Sequence, residues 1–150
     1  MSTTSTVIAG VVAGGGVIVL AVLVIVGRLK RVLRDEVRKR FSENQCQRVE
    51  LFANFFGLES RGMKQIRGNG ALVLTRDELW FLQALPRREV RVPLNCVERV
   101  STPRSHLGKT IWRRLLRVDF QTEDGHDAAA WAVRKVEDWR NALEAATDEN

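Results

Sequence analysis

The sequence has few of the residues that metal centres and disulfide frameworks need. Cysteine occurs only at Cys46 and Cys96, fifty positions apart, and histidine only at His106 and His126, so no Cys/His cluster forms along the chain. Two thiols do not make a disulfide framework, and we expect both to be reduced. The composition therefore predicts no metal site and no cofactor.

Catalytic motifs are also lacking. Gly68-Asn69-Gly70 fits a turn better than a phosphate cradle, and Gly108-Lys109-Thr110 has the end of a Walker A motif without its upstream glycine. Neither histidine is part of a recognisable acid–base pair, and no paired carboxylates stand out among the solvated acidic residues. We therefore expect a protein that is not an enzyme.

Charge is missing from the N-terminal region. Residues 7–27 carry no charged or strongly polar side chain, and residues 1–6 before them contain no lysine or arginine. A helix over these 21 residues is about 31 Å long, close to the hydrocarbon thickness of a bilayer. A cleaved signal peptide would have a basic start and a shorter apolar stretch. The pattern predicts an uncleaved transmembrane helix over 7–27.

Positive charge follows this segment at once. Residues 28–48 hold eight basic and three acidic side chains, which is most of the chain's net charge of +6. The positive-inside rule then places residues 1–6 outside the membrane and everything after residue 27 in the cytoplasm. Because the excess charge borders the predicted membrane helix, anionic headgroups explain it better than nucleic acid does.

Two short patterns in this half of the chain leave alternatives open. Gly10 and Gly14 form a small-xxx-small pair, which permits a homodimer or reflects the ordinary abundance of glycine in membrane helices. Across 28–47, apolar residues recur every four positions from Leu29 to Phe41, which predicts a basic juxtamembrane helix. That helix is either a straight stalk or an interfacial helix, and its charges alternatively serve only as a topogenic stop signal.

The pattern changes after residue 47 from helical spacing to short strands. Apolar residues alternate with polar ones, as at Leu116, Val118 and Phe120, and turn residues separate the runs. Residues Val136 and Trp139 begin one apolar face of a closing helix. We expect an α+β domain over 48–146, followed by a solvated tail at 147–150.

Parts of this region resemble a known family. The runs Gly70-Ala71-Leu72-Val73-Leu74-Thr75, Leu79-Trp80-Phe81 and Val92-Pro93-Leu94 resemble the opening of GRAM and bacterial pleckstrin-homology-like (PH-like) domains. The run Trp139-Arg140-Asn141-Ala142-Leu143 is similar to the C-terminal helix of that superfamily. The resemblance covers about 48–146. It implies a strongly bent antiparallel sheet of about seven strands, capped by a helix whose tryptophan packs over one mouth of the barrel.

One-signed charge marks two loops of the predicted domain. In PH-like domains the loop after the first strand often holds lipid phosphates, and the resemblance places Arg61, Lys64 and Arg67 there. A second run of basic residues extends from Arg99 to Arg117 with no acidic residue between them, and its members Arg104, Lys109, Arg113 and Arg114 form the second basic group of candidate lipid contacts. Arginine binds phosphate oxygens bidentately, but no Lys-x-Arg pair lies on the strands, so we expect generic anionic lipid. The alternative is that both loops are merely solvated.

These features predict a single-pass membrane protein with a cytoplasmic, non-catalytic PH-like domain that contacts anionic lipid or a protein partner. The alternative is a small accessory subunit of a larger membrane complex. Trp112 lies beside two arginines, and this position fits three alternatives. Trp112 is an interfacial anchor, an interface hot spot or a core residue.

Overall fold

The structure is a computed structural model that describes the backbone of residues 3–149 and the side chains of residues 15–149. The Gly10/Gly14 pair and the first eight residues of the predicted membrane segment lie outside the described side chains. The chain forms two compact units, Met1–Val32 and Leu33–Asn150.

The first unit contains most of helix α1, Thr3–Arg40. Most of its described apolar side chains are exposed, including Val17 at 69% and Ile25 at 64%. Within the part of the chain that the structure describes, no helix combines the length and the apolar character needed to cross a membrane.

The second unit is built of β-strands and one further helix. The strands are β1 Arg48–Leu58, β2 Gly68–Leu74, β3 Glu78–Gln83, β4 Arg88–Pro93, β5 Val97–Ser101, β6 Ser105–His106, β7 Lys109–Thr110, β8 Leu116–Thr122 and β9 Gly125–Ala132, and the helix is α2 Val136–Asp148. Seven strands form one antiparallel sheet in the order β4-β3-β2-β1-β9-β8-β5, and β6 and β7 form a separate hairpin. The predicted α+β class, seven-stranded antiparallel sheet and C-terminal helix are confirmed.

One hydrophobic core lies on the inner face of the sheet. It joins side chains from all seven strands, including Val90 of β4 and Val100 of β5, to Trp139 of α2. Seven flat strands would span about 29 Å, so the sheet must curve for both of its edges to reach the same cluster. Register shifts in β1 and β5 help to bend the sheet. The shift in β1 lies at Gly57, whose φ is 121°.

The end of α1 packs on the outer face of one half of the sheet. Ala71 and Val73 of β2 point away from the inner core, yet both are fully buried. Leu33 and Val37 of α1 are also buried, and the ring of Phe41 lies 5.4 Å from that of Trp80 on β3. The last two turns of α1 therefore belong to the folded domain, in addition to any role of their basic side chains.

The segment 103–115 covers the outer face of the other half. Leu115 and Ile111 pack against Phe56 of β1 and against Ala130 and Ala132 of β9. Small alanine side chains let this segment approach the sheet closely. The sheet thus has apolar layers on both faces.

Candidate functional site

Three connections lie at the same end of the strands of the sheet, which we call the loop end. They are residues 59–67 between β1 and β2, residues 84–87 between β3 and β4, and residues 123–124 between β8 and β9. The antiparallel registers place the end of β1 beside the start of β2 and beside the middle of β9, and the end of β3 beside the start of β4. Two of the three connections carry the site.

The 59–67 loop is held by Gln65. Its amide Nε2 donates to the carbonyls of Leu58 at 2.6 Å and of Gly62 at 2.7 Å, and its Oε1 accepts from the Leu58 amide at 3.1 Å. The hydroxyl of Ser60 donates to the Asp127 carboxylate at 2.7 Å, which ties the loop to β9. These bonds fix the loop's shape before any ligand arrives.

Two of the predicted cations in this loop remain available. Arg61 and Lys64 are exposed, and no described residue forms an ion pair or hydrogen bond with either side chain. Arg67 differs, because its guanidinium donates to Asn54 Oδ1 at 3.0 Å and lies 4.0 Å from the centre of the Phe56 ring. Arg67 therefore braces the outer face of β1.

The second basic group is only partly brought to this loop. Lys109 donates from Nζ to the Gln65 carbonyl at 2.8 Å, and a Cβ placed on Gly108 would lie 3.6 Å from Met63 Sδ. The β6–β7 hairpin therefore touches the 59–67 loop, and Lys109 joins Arg61 and Lys64.

The other three members of that group lie nearer the base of segment 103–115. Arg113 donates to the Val133 carbonyl, and Arg114 donates to the Thr102 carbonyl at 3.2 Å. Arg104 is exposed at the start of β6. The structure thus groups Lys109 with the first loop but leaves Arg104, Arg113 and Arg114 apart from it.

Trp112 is the most exposed large apolar side chain described, at 95%. Its φ of 61° is rare for a residue with a bulky side chain. The anchored neighbours Arg113 and Arg114 hold the backbone on one side, and the Trp112 amide donates to Thr110 Oγ1 at 3.3 Å on the other. The alternative that Trp112 is a core residue is wrong.

A polar cluster lies beside the loop end on β8 and β9. Ligand-type atoms of Glu59, Asp119 and His126 lie within 4.8 Å of one another, a spacing that suits a cation. Arg117 already supplies positive charge there, with its Nη2 at 2.8 Å from Glu59 Oε2 and 2.7 Å from Asp119 Oδ1. Burial alone would raise the pKa of Asp119, but Arg117 and Arg99 outweigh it and hold that pKa below its usual range.

His106 attaches the β6–β7 hairpin to this cluster. It is 2% exposed, its Nε2 lies 3.1 Å from the Gly57 carbonyl and its Nδ1 lies 3.3 Å from Arg117 Nη1. Because a carbonyl only accepts, Nε2 carries the proton and Nδ1 accepts from Arg117. Burial, helped by the Arg117 charge, lowers the pKa of His106.

The sequence did not predict at which end of the sheet helix α1 joins the domain. Glu36 pairs with Arg87 of the β3–β4 turn at 2.8 Å, and Arg40, one turn later, pairs with Glu89 of β4 at 3.1 Å. The helix therefore runs from the loop end towards the opposite end, so Leu33 lies at the loop end. The continuous apolar runs of β2 and β3 were a signal that something covers their outer face.

Comparisons with known proteins give the fold and no more. No family model matches the chain, and no curated protein matches it. A chain of the solved structure titled "The 8S snRNP Assembly Intermediate" is similar, with 11% identity and a TM-score of 0.50, over 72% of this chain and 83% of that chain. At that identity the likeness concerns backbone architecture alone.

Proposed function

We propose that this protein is a single-pass membrane protein whose PH-like domain is a non-catalytic module that contacts an anionic lipid surface from the cytoplasm. One observation carries the proposal: Arg61 and Lys64 are exposed and unpaired among the described residues, in a preformed loop that Lys109 also joins. The GRAM/PH-like resemblance of residues 48–146 supports the same assignment.

The membrane segment is part of this proposal. Residues 7–27 contain no charge, and basic residues follow immediately at Arg28, Lys30 and Arg31. The described apolar side chains of this stretch are exposed, from Val17 to Ile25, as expected of a helix that packs against lipid. The Gly10/Gly14 pair would permit a homodimer within the membrane.

Charge alone gives the domain a modest attraction to lipid. Each basic side chain close to an anionic leaflet contributes about 1 kcal/mol, and the attraction decays over a Debye length of about 8 Å. With an anchor already present, such contacts determine how the domain faces the bilayer rather than whether it stays there.

Vesicle co-sedimentation of fragment 33–150 tests this function. We expect salt-sensitive binding to vesicles containing phosphatidylglycerol, none to phosphatidylcholine vesicles, and loss of binding in the Arg61→Gln/Lys64→Gln double variant. Lys135→Gln is the matched control for Lys64→Gln. Each variant removes one lysine charge, but Lys135 lies beyond the far end of β9. Circular dichroism first confirms that each fragment is folded. Binding that is equal on neutral vesicles, or absent on anionic ones at low salt, would refute the lipid assignment.

The exposure of Trp112 favours a second candidate, a protein-interaction module or small accessory subunit. A fixed, fully exposed tryptophan is typical of an interface hot spot. Mild detergent purification of the full chain would then yield a stoichiometric partner protein, and Trp112→Ala would release it. Loss of the partner only on Arg61→Gln/Lys64→Gln would instead place it at the loop end.

A further inference from the structure

We propose that a groove between the end of α1 and strand β1 binds a single-chain anionic amphiphile, namely a long-chain fatty acid carboxylate. The groove has a volume of about 350 Å³, and we call it the α1–β1 groove. All the residues that line it belong to the second unit, Leu33–Asn150. The inference goes beyond the proposed contact with a lipid surface and does not depend on it.

The groove contains an uncovered apolar part of the outer face of the sheet. Val49 of β1 lies opposite Val73 of β2 in the strand register, yet Val73 is fully buried whereas Val49 is 43% exposed. Leu51 of the same strand and Val37 and Phe41 of α1 also line the groove. An apolar chain that lies here removes this surface from water, which favours binding.

The size and chemistry of the groove favour a single acyl chain. Pockets for small molecules usually have volumes of about 300–1,000 Å³, and the α1–β1 groove is near the lower limit. It therefore suits one chain better than the two chains of a phospholipid. A peptide segment would bring backbone amides and carbonyls against apolar side chains that cannot form hydrogen bonds with them, and an acyl chain has no such groups.

Two cations define where the carboxylate of the ligand binds. Arg34 and Arg38 line the groove and are exposed, and neither side chain forms a hydrogen bond or ion pair with a described residue. Residues four positions apart lie on the same side of a helix, so both guanidinium groups can donate to one carboxylate.

The other part of the groove suits the end of the acyl chain. Glu43 and Cys46 line it and follow the end of α1. Burial, helped by the Glu43 charge, raises the pKa of the Cys46 thiol, so the thiol is uncharged at neutral pH and compatible with an apolar chain. Because Glu43 repels an anionic head, we expect the carboxylate at the two arginines and the chain directed towards Cys46.

Cysteine alkylation in the full chain measures occupancy of the groove. Cys46 lines the groove, whereas Cys96, which is also free and half-buried, lies between β4 and β5 and is the internal control. The protein in phosphatidylcholine nanodiscs reacts with iodoacetamide, and mass spectrometry gives the rate at each cysteine. Oleate at about ten times its Kd should slow alkylation of Cys46 by about tenfold and leave Cys96 unchanged. Acetate, which lacks the chain, and dodecyltrimethylammonium, which has a cationic head, should slow neither.

Two variants with the same loss of charge test the role of the arginines. Arg34→Gln/Arg38→Gln should abolish the slowing by oleate, and Arg61→Gln/Lys64→Gln should retain it. Circular dichroism confirms that both variants are folded. Because the second variant is the one expected to lose vesicle binding, the pair separates failure of this inference from failure of the proposed function.

Several outcomes would overturn the inference. They are no slowing of Cys46 by oleate, equal slowing at both cysteines, equal slowing by the cationic amphiphile, and slowing that persists in Arg34→Gln/Arg38→Gln. Protection of Cys46 before oleate is added, relieved by dilution of the protein, would place a second copy of the chain in the groove and would also overturn it.

Discussion

Replacing Trp139 with alanine removes the largest side chain that α2 contributes to the core. Trp139 is 2% exposed and packs in the same cluster as Leu143 and Ala146. Truncating a buried tryptophan to alanine costs about 3–5 kcal/mol of unfolding free energy, since both transfer free energy and packing are lost. This value concerns the apolar part of the side chain alone.

The indole also has a polar role. Its Nε1–H donates to Glu50 Oε2 at 3.2 Å, and this carboxylate also accepts from the Arg134 amide at 3.2 Å. Without the indole, a carboxylate that is only 9% exposed keeps Arg134 but loses one donor, at a cost of about 1–3 kcal/mol. Trp139→Phe should therefore lose about 1–3 kcal/mol, and Trp139→Ala at least the full packing cost.

Urea titration of fragment 33–150, followed by far-ultraviolet circular dichroism, measures both variants. Glu144→Ala on the exposed face of α2 is the control and should change stability by less than about 0.5 kcal/mol. If Trp139→Ala costs less than about 1 kcal/mol, α2 does not close the core. If Trp139→Phe costs as much as Trp139→Ala, the contact with Glu50 outweighs the packing and our division of the energy is wrong.

Two further predictions concern the outer layers of the sheet. Leu33→Ala should destabilise fragment 29–150 by about 2–5 kcal/mol because Leu33 is buried, whereas exposed Lys39→Ala should not; equal urea midpoints would show that the end of α1 is not part of the folded unit. His106 has a lowered pKa in the folded protein, so the unfolded chain binds its proton first and stability should fall as the pH drops below about 6.5. Arg117 and Arg99 keep the pKa of the neighbouring Asp119 below its usual range, so His106→Gln should flatten the curve between pH 7 and 5; an unchanged slope there would contradict this assignment.

Local patterns were enough to predict strands such as β8 and the helix α2, but the β6–β7 hairpin lies where a basic loop was expected. The alternation of Leu116, Val118 and Phe120 with polar residues corresponds to the inner and outer faces of β8, and the spacing of Trp139 and Leu143 corresponds to the buried face of α2. Both depend on neighbours along the chain, which a sequence displays directly.

Contacts between distant segments were not predictable in the same way. The four-residue spacing of Leu33 and Val37 showed an apolar face, but not that β2 and β3 would cover it. Likewise, the sequence predicted the basic residues of the site. It did not show that the guanidinium of Arg67 packs on the Phe56 ring while the side chain of Arg61 is exposed. Such distinctions depend on tertiary packing, which charge and spacing do not encode.

The side chains that cover the two outer halves of the sheet maintain the fold and are distinct from the proposed lipid-contacting residues. Leu33 and Val37 close one outer half, and Leu115 closes the other. The exposed side chains of Arg61 and Lys64 contribute to neither layer. Substitutions at these two positions should therefore change stability by less than about 0.5 kcal/mol, so the proposed lipid contact can change without loss of folding.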